Sequence, residues 1–119
     1  MYVDGYVIPL PKKAVKNYVK MASAAGKIWM DHGALEFREC VGEELKTAHG
    51  SGFVKQTKLK PSETVFFSWV VYKSKAHRNA VNKKVFKDKR MLKMMETMDK
   101  SMFDVKRMAY GGFKVMVDK

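Results

Sequence analysis

Six polar residues fall where strand alternation or helical spacing otherwise places apolar side chains: Asp4, His32, Glu39, Ser68, Tyr72 and His77. Glu39 stands on the Leu35, Phe37 and Val41 side of a segment whose other side carries Glu36, Arg38 and Cys40. A carboxyl on an apolar face loses hydration, which raises its pKa and suits it to accept a proton; a bond to Ser68 or to a backbone amide is its plainer use. His77, one turn into a helix and close to Tyr72 and Arg78, is the second candidate for proton transfer, because imidazole titrates near working pH. Glu39 and His77 are therefore the candidate catalytic pair. Asp4, Tyr6, Ser68, Trp69 and Tyr72 form the candidate ligand-binding set, with Trp69 and Tyr72 shaping a pocket. Each has a structural reading beside the chemical one: Asp4 as a buried ion pair with Arg107, His77 as an exposed helix residue, Trp29 and Trp69 as packing. His32 caps the C-terminal end of a helix, where the macrodipole favours a positive imidazole.

Other chemistries find no support. His32, His49 and His77 lack the close spacing of a metal site, so no metal is expected, and no glycine-rich loop follows a strand to cradle a cofactor phosphate. Gly111-Gly112 is not such a loop. The single Cys40 excludes an intrachain disulfide and is expected to be inert. Ten methionines, five of them between Met91 and Met102, read as adaptable core filler.

The elements that must position these residues follow from periodicity. Tyr2 to Ile8 reads as a strand ending at Pro9-Leu10-Pro11, with a helix from Lys12 to about His32 whose stripe is Val15, Tyr18, Val19, Ala22, Ala25 and Trp29. Gly33 ends it, and Ala34 to Val41 alternates as a strand. Residues 42–61 form a connector with one short helical turn near Phe53-Val54. Thr64 to Tyr72 is a strand apolar on both faces. Ser74 caps a helix with the stripe Ala76, Ala80, Val81 and Val85, a Met-rich helix covers Met91 to Met98, and a last strand lies near Met108 to Val117, with Gly111-Gly112 marking a bulge or a close backbone approach.

The order β-α-β-β-α-β, with one short extra helix, gives a single α+β domain over residues 1–119, a ferredoxin-like antiparallel sheet with helices on one face. A chain of this length buries roughly two thirds of its unfolded surface, enough for a core. The strand apolar on both faces needs cover on the helix-free side, and a second copy of the chain supplies it, so a homodimer is expected. The start of the chain has no signal-peptide pattern, and its longest apolar run is far short of the ~20 residues that span a bilayer; a cytoplasmic protein without membrane association is expected.

The net charge is +12, and between Lys73 and Lys93 nine Lys or Arg stand against one acid, Asp88. Such a stretch can attract nucleic acid, although lysines dominate it and no aromatic is interleaved for base stacking, which favours a solvated helix face.

Tyr2-Val3-Asp4-Gly5, His32-Gly33-Ala34-Leu35, Glu39-Cys40, Val65-Phe66-Phe67-Ser68-Trp69, Tyr72-Lys73-Ser74-Lys75, Asp88-Lys89-Arg90-Met91 and Phe103 to Phe113 together resemble the bacterial family defined by domain of unknown function 1428, end to end. The resemblance implies a dimeric α+β barrel, in which two sheets face each other across a homodimer, and leaves activity open. Lys89 stands where that family commonly has proline and Val105 where it commonly has glycine. Similar barrels include cofactor-free monooxygenases, haem enzymes, isomerases and ligand binders that share a pocket between sheet and helices. The expected function is binding of a small, partly apolar ligand in that pocket; the alternatives are cofactor-free monooxygenase or isomerase chemistry, and nucleic-acid binding through residues 73–93.

Overall fold

The computed structural model describes residues 1–119. Four strands, β1 (Tyr2–Pro11), β2 (Glu36–Val41), β3 (Glu63–Tyr72) and β4 (Ala109–Lys114), form one sheet in the order β2-β3-β1-β4. All three neighbouring pairs are antiparallel. The chain passes from β1 to β2 through α1 (Val15–Asp31), and from β3 to β4 through α3 (Lys75–Val85) and α4 (Lys89–Thr97); a single turn, α2 (Phe53–Gln56), lies in the connector. This is the ferredoxin-like α+β arrangement. No helix is long and apolar enough to cross a membrane.

Alternation assigns the faces of the two central strands. Even positions of β3 (Thr64, Phe66, Ser68, Val70, Tyr72) are all buried, whereas odd positions Phe67, Trp69 and Val71 are exposed or half-buried. One core cluster joins Ile8, Leu10 and Phe66 of the sheet to Tyr18 and Ala22 of α1. A second joins Val70 and Tyr72 to Ile28 of α1, Val81 and Val85 of α3 and Met91 of α4. On the other side, Val3, Val7, Phe67, Trp69, Val71, Ala109 and Phe113 line a shallow, open apolar concavity of about 620 Å³, touched at Phe67 by the Phe53 ring of α2 at 6.1 Å. Phe67 is 47% and Phe113 61% exposed there.

Several boundaries differ from those read in the sequence. Lys12–Ala14 is a 3-10 turn before α1 proper, because Pro11 leaves the chain extended and α-helical geometry begins only at Val15. Val19 is 48% exposed and Ile28 is buried instead, since α1 meets α3 and α4 as well as the sheet. On α3 the inward residues are Arg78, Val81, Asn82 and Val85, while Ala76 and Ala80 face outward. A polar partner beneath the helix, Asp4, sets its rotation. β4 stops at Lys114, three residues short of Val117, and it keeps an unbroken register with β1 through Gly111 and Gly112. There is no bulge; a Cβ on Gly112 would overlap the Tyr2 hydroxyl, so the glycine permits a close approach.

Local signals set the remaining boundaries. Gly33 takes φ +105, a conformation that disfavours side chains, and turns the chain from α1 into β2. Ser74 caps α3 by accepting from the His77 amide at 3.0 Å, and Asp88 caps α4 by accepting from the Arg90 amide at 2.8 Å. His32, at the end of α1, lies 2.8 Å through Nε2 from Asp88 and ties the two ends together.

Candidate functional site

Glu39 projects from β2 toward α1, opposite Ser68 of β3 in the ladder. Tyr18, one turn into α1, brings its hydroxyl 2.6 Å from Oε2 and 2.9 Å from Oε1 of that carboxylate, to which it donates. Ser68 Oγ donates to Oε2 at 2.9 Å. Loss of hydration raises the Glu39 pKa above the usual carboxylate range, and the two hydroxyl donors oppose the rise. Burial also raises the phenols of Tyr18 and Tyr6, with the Glu39 charge adding to both, so both remain neutral.

The carboxylate borders a cavity of about 150 Å³ between α1 and the sheet, walled by Tyr6, Tyr18, Ala22, Ala25, Trp29, Phe37 and Val70. A wider recess of about 300 Å³, lined by Val19, Ala22, Gly26, Met30 and Phe37, shares Glu39 with it and leads outward. Arg38 also lines the cavity, but it pairs with the outward-facing Trp69 in the ladder and its guanidinium is on the far side of β2, donating to the Phe37 carbonyl at 3.1 Å and lying 3.8 Å from Glu36. Glu39 therefore faces an aromatic-walled space with two hydroxyls and no cation.

A second polar cluster lies on the same sheet face. Asp4 is 0% exposed, and its one charged neighbour is Arg78, with Nη1 at 3.4 Å from Oδ1. Neither carboxylate oxygen completes a hydrogen bond, although Tyr72 and Asn82 face it. Burial raises the Asp4 pKa, and Arg78 is the main opposing influence. Around the pair, Trp29 Nε1 donates to Tyr72 Oη and Asn82 Oδ1, both at 3.1 Å, and Arg78 Nη2 donates to Tyr2 Oη at 3.3 Å.

Residues 1–105 match the family model described as "Protein of unknown function (DUF1428)". The chain is 37% identical over 118 residues to the "Uncharacterized protein YbaA" of Escherichia coli K12, covering 99% of this chain and 98% of that one, and equally to that of Shigella flexneri. The chain belongs to the DUF1428 family. Solved structures similar to this DUF1428 chain include an uncharacterized NIPSNAP domain protein from Burkholderia xenovorans (TM-score 0.59, 15% identity, 97% of this chain and 94% of that one). Another is protein Atu4242 from Agrobacterium tumefaciens (TM-score 0.60, 13% identity, covering 96% and 92%). At those identities the likeness is one of fold.

The DUF1428 fold sorts the residues singled out by sequence into separate places. Glu39, Ser68 and Tyr6 share the cavity. Trp69 borders both the cavity and the open sheet face, and its indole donates to Glu36 Oε1 at 3.1 Å. Tyr72 and Asp4 belong to the second cluster. His77 sits in the first turn of α3, where Nδ1 accepts from the Lys73 amide at 2.9 Å, and it does not border the cavity. Asp4 pairs with Arg78 and not with Arg107, which instead grips Glu63 through two nitrogens at 2.9 and 2.6 Å and holds that carboxyl down to about 2. Arg107 also donates to the carbonyls of Thr57 and Lys58, so it fastens the end of the connector.

Tyr18 is the site residue that periodicity hid, because it occupies an apolar stripe position. A buried phenol needs a partner, and the lone acid on the apolar side of β2 is the signal that pairs with it. Gly26 shapes the same wall: a Cβ there would stand 2.7 Å from Phe37 Cδ1. In Gly26→Ala, overpacking costs about 1–3 kcal/mol against about 1 kcal/mol of gained helix propensity. The expected outcome is a lower urea midpoint with an unchanged slope, the reverse of the usual result for glycine replacement in a helix.

Proposed function

We propose that this protein is a homodimer that binds a small, partly apolar ligand in the cavity between α1 and the sheet, with Glu39 as its polar anchor. The observation that carries this reading is a carboxylate placed among aromatic walls, held by two neutral hydroxyls and left without an ion pair. A structural acid is ordinarily paired or exposed, whereas binding pockets set a few polar groups among apolar walls. The volume supports a compact occupant, since an engineered apolar cavity of about 150 Å³ holds benzene. Any chemistry in this site would use Glu39 as proton acceptor, its raised pKa bringing it closer to neutral pH.

The uncovered apolar face of the sheet supports the dimer, because exposed patches of that kind mark interaction sites. The basic stretch 73–93 gives less support to nucleic-acid binding. Arg78 is engaged by Asp4, and Arg90 by Asp31 and Asp88 at 2.8 and 2.9 Å, which leaves lysines as its free charges.

The test is a thermal-shift screen of one-ring compounds against the full chain and against Ala25→Leu, which fills the cavity from α1. One-ring compounds raise the melting temperature of the parent, and Ala25→Leu abolishes the shift while keeping its own transition. No shift with any compound, or equal shifts in both proteins, counts against the reading.

A further inference from the structure

We infer that the cavity selects a small organic cation, an amine carried on a body of about one ring, with the Glu39 carboxylate as its counter-ion. This rests on the ligand-binding reading above and assigns the charge of the ligand. Three observations point to it. First, Glu39 has hydroxyl donors only: Tyr18 and Ser68 supply hydrogen bonds without neutralising the charge, and no Lys, Arg or His pairs with it. An unpaired charge in apolar surroundings is costly, and an arriving cation relieves that cost while a neutral molecule relieves it only in part. Second, the walls are aromatic. Tyr6, Tyr18, Trp29 and Phe37 surround the space, with the Trp29 and Phe37 rings 5.8 Å apart, and ring faces attract ammonium groups electrostatically. Third, Oε1 has a single partner, the Tyr18 hydroxyl it shares with Oε2, so it keeps capacity for a donor from the ligand.

The arrangement also rejects anions. A ligand carboxylate would meet the Glu39 charge with no base nearby, and it would have to bring a proton to be accepted. Amine binding therefore strengthens as pH rises through the Glu39 pKa, since the carboxylate must be ionised; benzoate would behave in the opposite sense.

The experiment is calorimetric titration of the full chain with benzylamine, benzyl alcohol and benzoate, three probes of one size and different charge, in the parent protein and in Glu39→Gln. Benzylamine is expected to bind about tenfold more tightly than benzyl alcohol, with benzoate weakest. In Glu39→Gln the amine loses that advantage while the alcohol changes little, a split that a merely structural role for Glu39 would not produce. Benzoate binding tightest, or the amine and alcohol binding equally to the parent, overturns the inference and leaves the cavity a ligand site. Binding of none of the three overturns the ligand reading and the inference together. Should Glu39→Gln fail to fold, the ranking on the parent alone decides, and Tyr18→Phe, which leaves the carboxylate in place, must preserve that ranking.

Discussion

Arg78→Met lowers the melting temperature by about 10 °C, and the loss shrinks on acidification. The reason is the isolation of Asp4. Its side chain is fully buried, neither oxygen completes a hydrogen bond, and Arg78 is the one cation beside it. Removing one partner of a buried pair costs several kcal/mol because the other charge is left uncompensated. Asp4 can limit that cost by taking up a proton, so we expect about 3 kcal/mol near pH 7, which corresponds to about 10 °C for a domain of this size. The pH dependence follows from the direction of the Asp4 shift. Burial already raises its folded-state pKa, and loss of Arg78 raises it further. Between the unfolded and folded pKa values the folded state binds more protons, so stability falls as pH rises through that window. Differential scanning calorimetry at about pH 7 and about pH 5 therefore shows the deficit of Arg78→Met narrowing at the lower pH. Adding Asp4→Asn to Arg78→Met restores most of the lost stability at neutral pH, because the carboxylate that needed a counter-charge is gone. Equal deficits at both pH values, or no recovery in the double variant, would mean that Arg78 stabilises through packing on the Tyr2 ring, 5.0 Å from its guanidinium carbon, and not through Asp4.

Phe67→Asp is expected to turn the proposed dimer into a monomer without unfolding it. Phe67 lies at the middle of the open face, half-exposed in the single chain, and packs there at 5.7 Å from the Trp69 ring. In the proposed dimer this position is covered by the partner's sheet. An unpaired carboxylate buried in an apolar interface costs several kcal/mol, enough to raise the dimer dissociation constant by about a hundredfold or more. In the monomer the same aspartate reaches water from a half-exposed position and gives up only the edge contacts of Phe67 with Phe53 and Trp69, a smaller cost. Sedimentation equilibrium is expected to give about twice 13.7 kDa for the parent and 13.7 kDa for the variant, with similar circular dichroism. A parent that sediments as a monomer at tens of micromolar would remove the dimer from the proposal while leaving the cavity argument untouched.

How much of this was readable in the sequence depends on whether a feature is set by one element or by two. Strand alternation places Glu39 on the apolar side of β2 and Ser68 on the buried side of β3, and the period of two leaves little freedom in either assignment. The partner of Asp4 is different. Which arginine reaches it depends on how α3 lies over β1, a rotation that the alanines of α3 misstate: Ala76 and Ala80 mark a face that turns outward, and Arg78 and Asn82 turn in beside Val81 and Val85. Small apolar side chains tolerate exposure, so they fix a helix's rotation weakly, whereas a buried charge fixes it strongly. The extent of β4 was overstated for a similar reason. Val115 to Val117 carry strand-forming residues, but beyond Tyr2 only Met1 is left to meet them: its carbonyl accepts from the Val115 amide at 3.1 Å, and Met116 and Val117 have no strand opposite. The site residue missing from the sequence reading, Tyr18, belongs with these cases, since its role depends on a strand more than twenty positions away.

The alternation of β3 also sets where this chain can change length. Ser68 faces the cavity, while Phe67 and Trp69 flank it on the opposite side of the sheet, each facing outward. Losing or gaining one residue within Glu63–Tyr72 would carry a serine to the outer face and a large ring into the cavity, exchanging the two surfaces at once. The connector of residues 42–61 has no such alternation to keep before its junction at Arg107. Length variation between relatives is therefore expected to gather in that connector and to spare β3.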